Sequence, residues 1–294
     1  KCDNCGEEYK TTDEHLCYIK PMKPKPARPL STIMFADYET LPLNAQRRKV
    51  LKMDDQGKPF KVDKQGNPSA KGTFATEYKT RWFHEVHYVV IKTMREEIDP
   101  TTQKVKYVVD KSWEFEGENA LTDSTTFLMH PDHHEYTVYF HNGSGFDFSF
   151  LYRELVNERG YAPSVIKSGS KIKRMDVAPV NPNSNKKPAK PLVHFRDSLL
   201  HFMSGLRRLP TTFGFSNEVI KGDFPHRFIV QKDTPEETLE ATLNYVGPPP
   251  PLEDYDPNRK STGEKAALTA WYKTDVAPLT TWSYRDEMKK YCHA

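Results

Sequence analysis

Apolar patterning begins at Ile33-Met34-Phe35, a short block that runs into Asp37-Tyr38-Glu39 and predicts a buried strand reaching the surface. Strand-type runs resume over Arg81–Met94 and Val105–Phe115, and helical periodicity covers Asn119–Leu128. A further strand is predicted over Glu135–Phe140. Phe148, Leu151 and Leu155, with Phe150 on the opposite flank, give Phe148–Glu158 the apolar stripe of a helix. Val165–Val177 and Pro191–Arg196 read as strands around an Asn/Pro/Lys loop, Thr262–Thr274 as a short helix and Thr280–Ala294 as a last one. Strand, strand, strand, helix, strand is an α/β order, and α/β is the predicted fold class.

Polar stretches separate these elements. Residues 41–76 carry turn signals at Gln56-Gly57-Lys58 and Gln65-Gly66-Asn67, so they read as an insertion, a hairpin or a solvated loop, beside the first strand. The tract Tyr245-Val-Gly-Pro-Pro-Pro-Pro-Leu252 predicts a polyproline-like linker. A basic, proline-rich linker over 21–30 divides the body, 31–294, from a short leading module, 1–20.

Composition narrows the classes. The 294 residues include 23 prolines and only 36% hydrophobic side chains, which predicts long loops around an ordinary core. The net charge is +3, from 43 Lys+Arg against 40 Asp+Glu, so any nucleic-acid contact has to come from local patches. Lys167, Lys171, Lys173, Arg174, Lys186, Lys187 and Lys190 form the densest patch, readable as solubility or as phosphate contacts. No signal peptide and no membrane-length apolar run is visible, so a soluble, intracellular protein is expected.

The chemistry-bearing positions are acids and cysteines. Asp37 and Glu39, two apart on a strand, point to the same face. Carboxylates held that close repel unless a proton or cation lies between them, and hard oxygen ligands favour Mg²⁺ or Mn²⁺. The same pair also reads as two solvated acids at a strand end. Cys2, Cys5, His15 and Cys17 offer four ligands for a structural Zn²⁺, whose binding would supply the folding energy of so short a module; the three cysteines also read as reduced thiols in a flexible tail. Asp147 follows the turn His141-Asn-Gly-Ser-Gly-Phe146 and opens a helix, where it would cap, bind metal, or both.

Phe35-Ala-Asp-Tyr-Glu-Thr40 followed by His141-Asn-Gly-Ser-Gly-Phe-Asp147 resembles the first and second exonuclease motifs of family B DNA polymerases. The likeness is to the protein-primed branch, including the polymerases of linear plasmids and Polinton/Maverick elements. Phe195-Arg-Asp-Ser-Leu-Leu200 with Gly205-Leu-Arg-Arg-Leu-Pro210 resembles that branch's Ser-Leu motif, and Lys221-Gly-Asp-Phe-Pro-His226 its Lys-Gly-x-hydrophobic motif. The resemblance covers roughly 29–294, and the cysteine-rich start suits Polinton-like relatives.

This resemblance implies a ribonuclease-H-like 3′–5′ exonuclease domain behind a small zinc knuckle, proofreading for a polymerase domain that follows it. Asp37, Glu39 and Asp147 would hold two Mg²⁺ or Mn²⁺ ions. Tyr291 would orient the attacking water or scissile phosphate, and Lys221 would offset developing negative charge. Asn142, Phe146, Ser198 and Leu199 would hold the unpaired 3′ end of DNA. Tyr291-Cys-His-Ala294 fits the first four positions of the family's Tyr-x3-Asp motif, so an Asp is expected to come next. The implied partners are primer-template DNA, a terminal priming protein and the polymerase domain of the same chain. In a eukaryotic host the implied location is the nucleus or a viral or mobile-element replication site. Two alternatives stay open: a non-catalytic module that guides single-stranded DNA or docks a priming protein, and a stand-alone ribonuclease-H-type nuclease.

Overall fold

The computed structural model describes residues 29–52, 54–56, 58–178, 192–214 and 222–293. The zinc-ligand candidates Cys2, Cys5, His15 and Cys17, residues 21–28 of the linker after them, Lys186, Lys187, Lys190 and Lys221 lie outside those residues. In chain order the strands are β1 (Ile33–Leu51), β2 (Lys61–Val62), β3 (Thr73–Phe74), β4 (Thr76–Ile98), β5 (Val105–Glu116) and β6 (Tyr136–Phe140). They continue as β7 (Ser164–Ser168), β8 (Lys171–Val177), β9 (Val193–Asp197), β10 (Val246–Gly247) and β11 (Trp282–Ser283). The α-helices are α1 (Ala120–Leu128), α2 (Asp147–Arg153), α3 (Leu199–Phe202), α4 (Leu209–Phe213), α5 (Pro235–Leu243), α6 (Thr262–Trp271) and α7 (Tyr284–His293).

Seven strands form one sheet in the order β5-β4-β1-β6-β9-β8-β7. β1, β4 and β5 are antiparallel to their neighbours in that hairpin run, whereas β6 lies parallel to β1 and β9 parallel to β6. Alternation along β1 divides its side chains between two cores. Met34, Ala36 and Tyr38 join Val89, Ile91, Phe140, Phe148, Leu151 and Leu155 on the face covered by α1 and α2. Leu41, Leu43, Tyr88 and Val90 join Phe224, Leu239, Leu243, Tyr284, Met288 and Cys292 in a second core, which belongs to α5, α7 and the segment leading to Phe228. Asp37 and Glu39 share the parity of the second core. The sheet is therefore buried on both faces, and the acids stand near its centre.

A β-bulge after Glu39 shifts the register, so that Glu39 pairs with Tyr88 but Thr40 with Val86, which leaves His87 as the extra residue. His87 is buried, and its Nε2 lies 3.3 Å from the Tyr284 hydroxyl at the start of α7. Burial pushes its imidazole pKa down to about 3. The unfolded chain takes up that proton near the ordinary value of about 6.5, so the stability contribution is full above that pH and lost as pH falls toward 3. The urea midpoint of the parent protein should drop between pH 6.5 and 4.5 more steeply than that of His87→Asn. Equal slopes would remove His87 from the acid sensitivity.

Local sequence accounts for the start of α5. Thr234 caps α5, accepting from the Glu237 amide at 3.2 Å while the Glu237 carboxylate accepts from the Thr234 amide, and Pro235 occupies the first turn. Thr234→Ala should cost about 1 kcal/mol, read as a lower urea midpoint, and an unchanged midpoint would refute the cap's contribution.

Several expectations are corrected. Val165–Val177 is two strands, since Gly169 at φ +60° turns the chain between β7 and β8. Of the readings for residues 41–76 the hairpin holds and the loop does not: 41–51 continue β1 and pair with 76–85 of β4, with the small β2–β3 pair beyond. The proline tract is packed rather than a linker. Val246–Gly247 pairs with Trp282–Ser283, the Tyr245 ring lies 4.7 Å from Phe228, and the Tyr272 hydroxyl donates to the Pro250 carbonyl at 2.9 Å. The last helix starts at Tyr284, because Trp282 and Ser283 are taken up by that strand pair. Among the described residues no helix is long and apolar enough to cross a membrane.

Candidate metal centre

The second core delivers α7 onto the face that carries Asp37 and Glu39. Tyr284, Met288 and Cys292 repeat at helical spacing and are buried against the sheet. Polar contacts fix the helix end: Lys92 Nζ donates to the His293 carbonyl at 2.8 Å, and Lys289 pairs with Glu114 of β5 at 3.0 Å. The result is a group of three potential ligands, Asp37, Glu39 and Cys292, whose ligand atoms all lie within 4.8 Å of one another. Cys292 Sγ is 3.7 Å from a Glu39 carboxylate oxygen. Two hard oxygen donors dominate the group, as Mg²⁺ or Mn²⁺ requires, and the thiol adds a softer third donor.

Two aromatic side chains border it. Tyr291 lies on the Phe224 ring at 5.4 Å and edge-on to the His226 imidazole at 5.2 Å. His226 Nδ1 in turn stands 3.7 Å from Glu39. Sequence reasoning chose Lys221 from this motif and passed over His226, which closes the same six-residue stretch. It also passed over Cys292, visible only as the residue after Tyr291.

The turn between β6 and α2 is built around Asp197, at the end of β9. Its buried carboxylate accepts from the Asn142 amide at 2.9 Å, the Ser144 amide at 3.0 Å and the Leu199 amide at 3.0 Å, and also from the Ser144 hydroxyl. Asn142 adopts a left-handed conformation at φ +65°, and a Cβ at Gly143 would lie 2.7 Å from Phe140 Cβ, so the turn needs its glycine. Asp147 follows as the first residue of α2; it is buried but is not the N-cap, a position held by Phe146. Asp147 is outside the ligand group of Asp37, Glu39 and Cys292 among the described residues. It acts on the other face of β1: burial first, then the Asp147 and Glu154 carboxylates, raise the pKa of the Tyr38 phenol.

A cleft of about 270 Å³ opens beside Asp37, with Phe35, Lys92, Tyr139, His141, Ser198 and Phe202 among its walls. Phe35 and Tyr139 stack at 6.2 Å, and Ser198 Oγ lies 3.0 Å from His141 Nδ1. Of the four residues expected at a DNA 3′ end, Ser198 lines this cleft and Asn142, Phe146 and Leu199 do not. Phe146 packs edge-on against His84 at 6.0 Å and Phe150 at 5.1 Å. Lys92 was hidden in an apolar strand run, although its parity with Val90 places it on the acid face.

The basic patch is partly spoken for. Arg174, Arg196 and His194 converge on Asp176 at 2.6, 2.7 and 2.7 Å. Burial opposes the Asp176 charge, but these hydrogen bonds outweigh it and hold the carboxyl below its ordinary pKa. Lys167 lies over the Tyr152 ring.

Residues 128–294, more than half of the chain, match the family model described as DNA polymerase type B, organellar and viral. No curated protein and no solved structure matches.

Proposed function

The chain belongs to the organellar and viral type B DNA polymerases, and from that premise we propose that residues 31–294 are a 3′–5′ proofreading exonuclease domain of ribonuclease-H-like fold. DNA is the partner that the family implies, and polymerisation its activity. The observation that carries the exonuclease reading is the pair Asp37 and Glu39 on the central strand with the Tyr291–Cys292 turn of α7 packed over it. The strand order β5-β4-β1-β6-β9, with β4 antiparallel and β6 and β9 parallel to one another, supports the fold assignment.

Asp37 and Glu39 would hold the divalent cations, whereas Asp147, expected as the acid of a second position, stands outside their ligand group and acts on Tyr38. Such ions lower the pKa of an attacking water and stabilise a leaving 3′ oxygen. The chain's own groups do the rest. The Phe35 and Tyr139 rings offer stacking faces for an unpaired terminal base, at about 1–3 kcal/mol per stacked base. Ser198 and His141 present a polar edge in the same cleft. Lys92, on that wall, supplies positive charge toward the phosphoryl oxygens, the role that the motif also proposes for Lys221. Tyr291 and His226 stand where they could orient water or phosphate beside Glu39. Asn142, Phe146 and Leu199 shape the turn that Asp197 holds. A protein primer, the zinc knuckle of Cys2, Cys5, His15 and Cys17, and replication of a viral or mobile element complete the proposal.

The test is incubation of the full natural chain with a 5′-labelled single strand and Mg²⁺ or Mn²⁺. Stepwise shortening from the 3′ end, abolished by EDTA, is expected. Tight, salt-sensitive binding without shortening would instead make this a module that guides DNA.

A further inference from the structure

The segment 223–227 carries His226 to Glu39, and on each side of that histidine lies a pair of cations tethered by one aspartate. On one side Asp223 takes Arg207 at 2.8 Å and Lys260 at 2.8 Å. On the other Asp256 takes Arg227 at 2.7 Å and Arg259 at 3.0 Å. Each trio has two positive charges against one negative, so each keeps a net +1. Burial opposes the Asp223 charge, but its bonds to Lys260 and Arg207 outweigh this and hold the carboxyl below its ordinary pKa, so Asp223 stays ionised at neutral pH.

The clefts join these trios to the acid pair. A cleft of about 240 Å³ is lined by Leu206, Arg207, Asp223, His226, Lys260 and Tyr291. It shares Leu206 with the aromatic cleft beside Asp37 and His226 with a larger one of about 490 Å³. The last is lined by His84, His226, Arg227, Asp256 and Arg259, among others. Leu206 and His226 each wall two of these clefts, so the three adjoin as a stepped groove whose walls change from aromatic, at Phe35 and Tyr139, to cationic.

We propose that the two trios, Arg207–Asp223–Lys260 and Arg227–Asp256–Arg259, form a phosphate track for the backbone of single-stranded DNA, holding successive phosphodiesters upstream of the terminal nucleotide. The assignment rests on the exonuclease reading for its polarity, since the terminal base is placed in the aromatic cleft. A cation shared with an aspartate is pre-positioned, so less side-chain freedom is lost when a phosphate arrives. The net charge of each trio still favours the anion, and the aspartate keeps the two cations from repelling each other when the groove is empty.

The track makes a prediction that single substitutions can read. Lys260→Gln leaves Asp223 paired with Arg207, and Arg259→Gln leaves Asp256 paired with Arg227, so each removes one net charge without orphaning an acid. Binding of a 5′-labelled oligo-dT to the full chain would be measured in EDTA across a salt series. Each variant should bind several-fold more weakly and flatten the slope of log affinity against log salt by about 0.7, and the double variant by about 1.4. Lys260→Arg and Arg259→Lys should restore the slope. An abasic strand of equal length should show the same losses, because phosphates and not bases are read. Slopes equal to the parent's in both glutamine variants would overturn the track. If the parent shortens DNA and the variants leave slope and KM unchanged, the track fails and the exonuclease reading stands. If the parent shortens nothing but the variants flatten the slope, the track holds and the exonuclease reading fails.

Discussion

Replacing Asp37 with alanine should lower metal-dependent 3′ shortening by at least about a thousandfold, which is roughly 4 kcal/mol of transition-state stabilisation. Asp37 and Glu39 are the two oxygen donors of the cluster, and with one gone the thiol of Cys292 becomes half of what is left. Soft sulfur is a poor ligand for Mg²⁺, so Cys292 does not compensate. Glu39→Gln should approach the same loss, since it preserves shape and removes charge. Stability should move the other way. Two like charges beside each other repel, so taking one away leaves the urea midpoint unchanged or slightly higher. That opposition separates a catalytic role from a structural one: activity falls while the fold holds. Retention of more than about a tenth of the activity in Asp37→Ala would remove this pair from the centre of the reaction.

Asp197→Ala should be the most destabilising single change at the site, costing about 3–5 kcal/mol. Its carboxylate satisfies the amides of Asn142, Ser144 and Leu199 together with the Ser144 hydroxyl, and it is 2% exposed. Alanine leaves three amides without an acceptor, each at about 1–3 kcal/mol, partly relieved where water can enter. Asp197→Asn should cost less, because one oxygen still accepts, although its amide hydrogens then meet the amides that the second oxygen served. Urea midpoints of the two variants test this, and a loss below about 1 kcal/mol in Asp197→Ala would show that the turn holds itself. The turn also sets the start of α2 and hence Asp147, so 3′ shortening should fall at temperatures where the variant remains folded.

Strand parity was the most legible feature of the sequence. Asp37 and Glu39 are two apart within an apolar strand, so their common face follows from backbone geometry alone. The stripe of Phe148, Leu151 and Leu155 likewise becomes core. The remainder depends on pairing over long distances. Cys292 meets Glu39 across 253 residues, and nothing local to either announces it. Asp197 looks like an ordinary polar residue after a strand until the β6–α2 turn is placed above it. The β7–β8 hairpin was missed because Ser168-Gly169-Ser170 interrupts a run whose alternation continues on both sides. The helix α5 was passed over because Pro235 reads as a breaker in isolation, whereas after a capping threonine it occupies a position where no amide is required. Asn142, Phe146 and Leu199 show the limit of carrying motif roles over by residue type. Asn142 and Leu199 give backbone amides to Asp197, and the Phe146 ring packs on His84 and Phe150.

The length of β1 and β4 has a further consequence. They run for 19 and 23 residues, and the outer half of β1 pairs with β4 from Asn44↔Phe83 to Leu51↔Thr76. In such a ribbon the repeat is two residues per strand, so removing or adding a matched pair of dipeptides near its tip leaves every inboard partner and every inboard face as it was. Glu39 keeps Tyr88, and the bulge at His87 stays in register with α7. The arm is thus a place where the chain can lengthen or shorten through descent while the acids remain fixed, its outer reach free to change with whatever it meets.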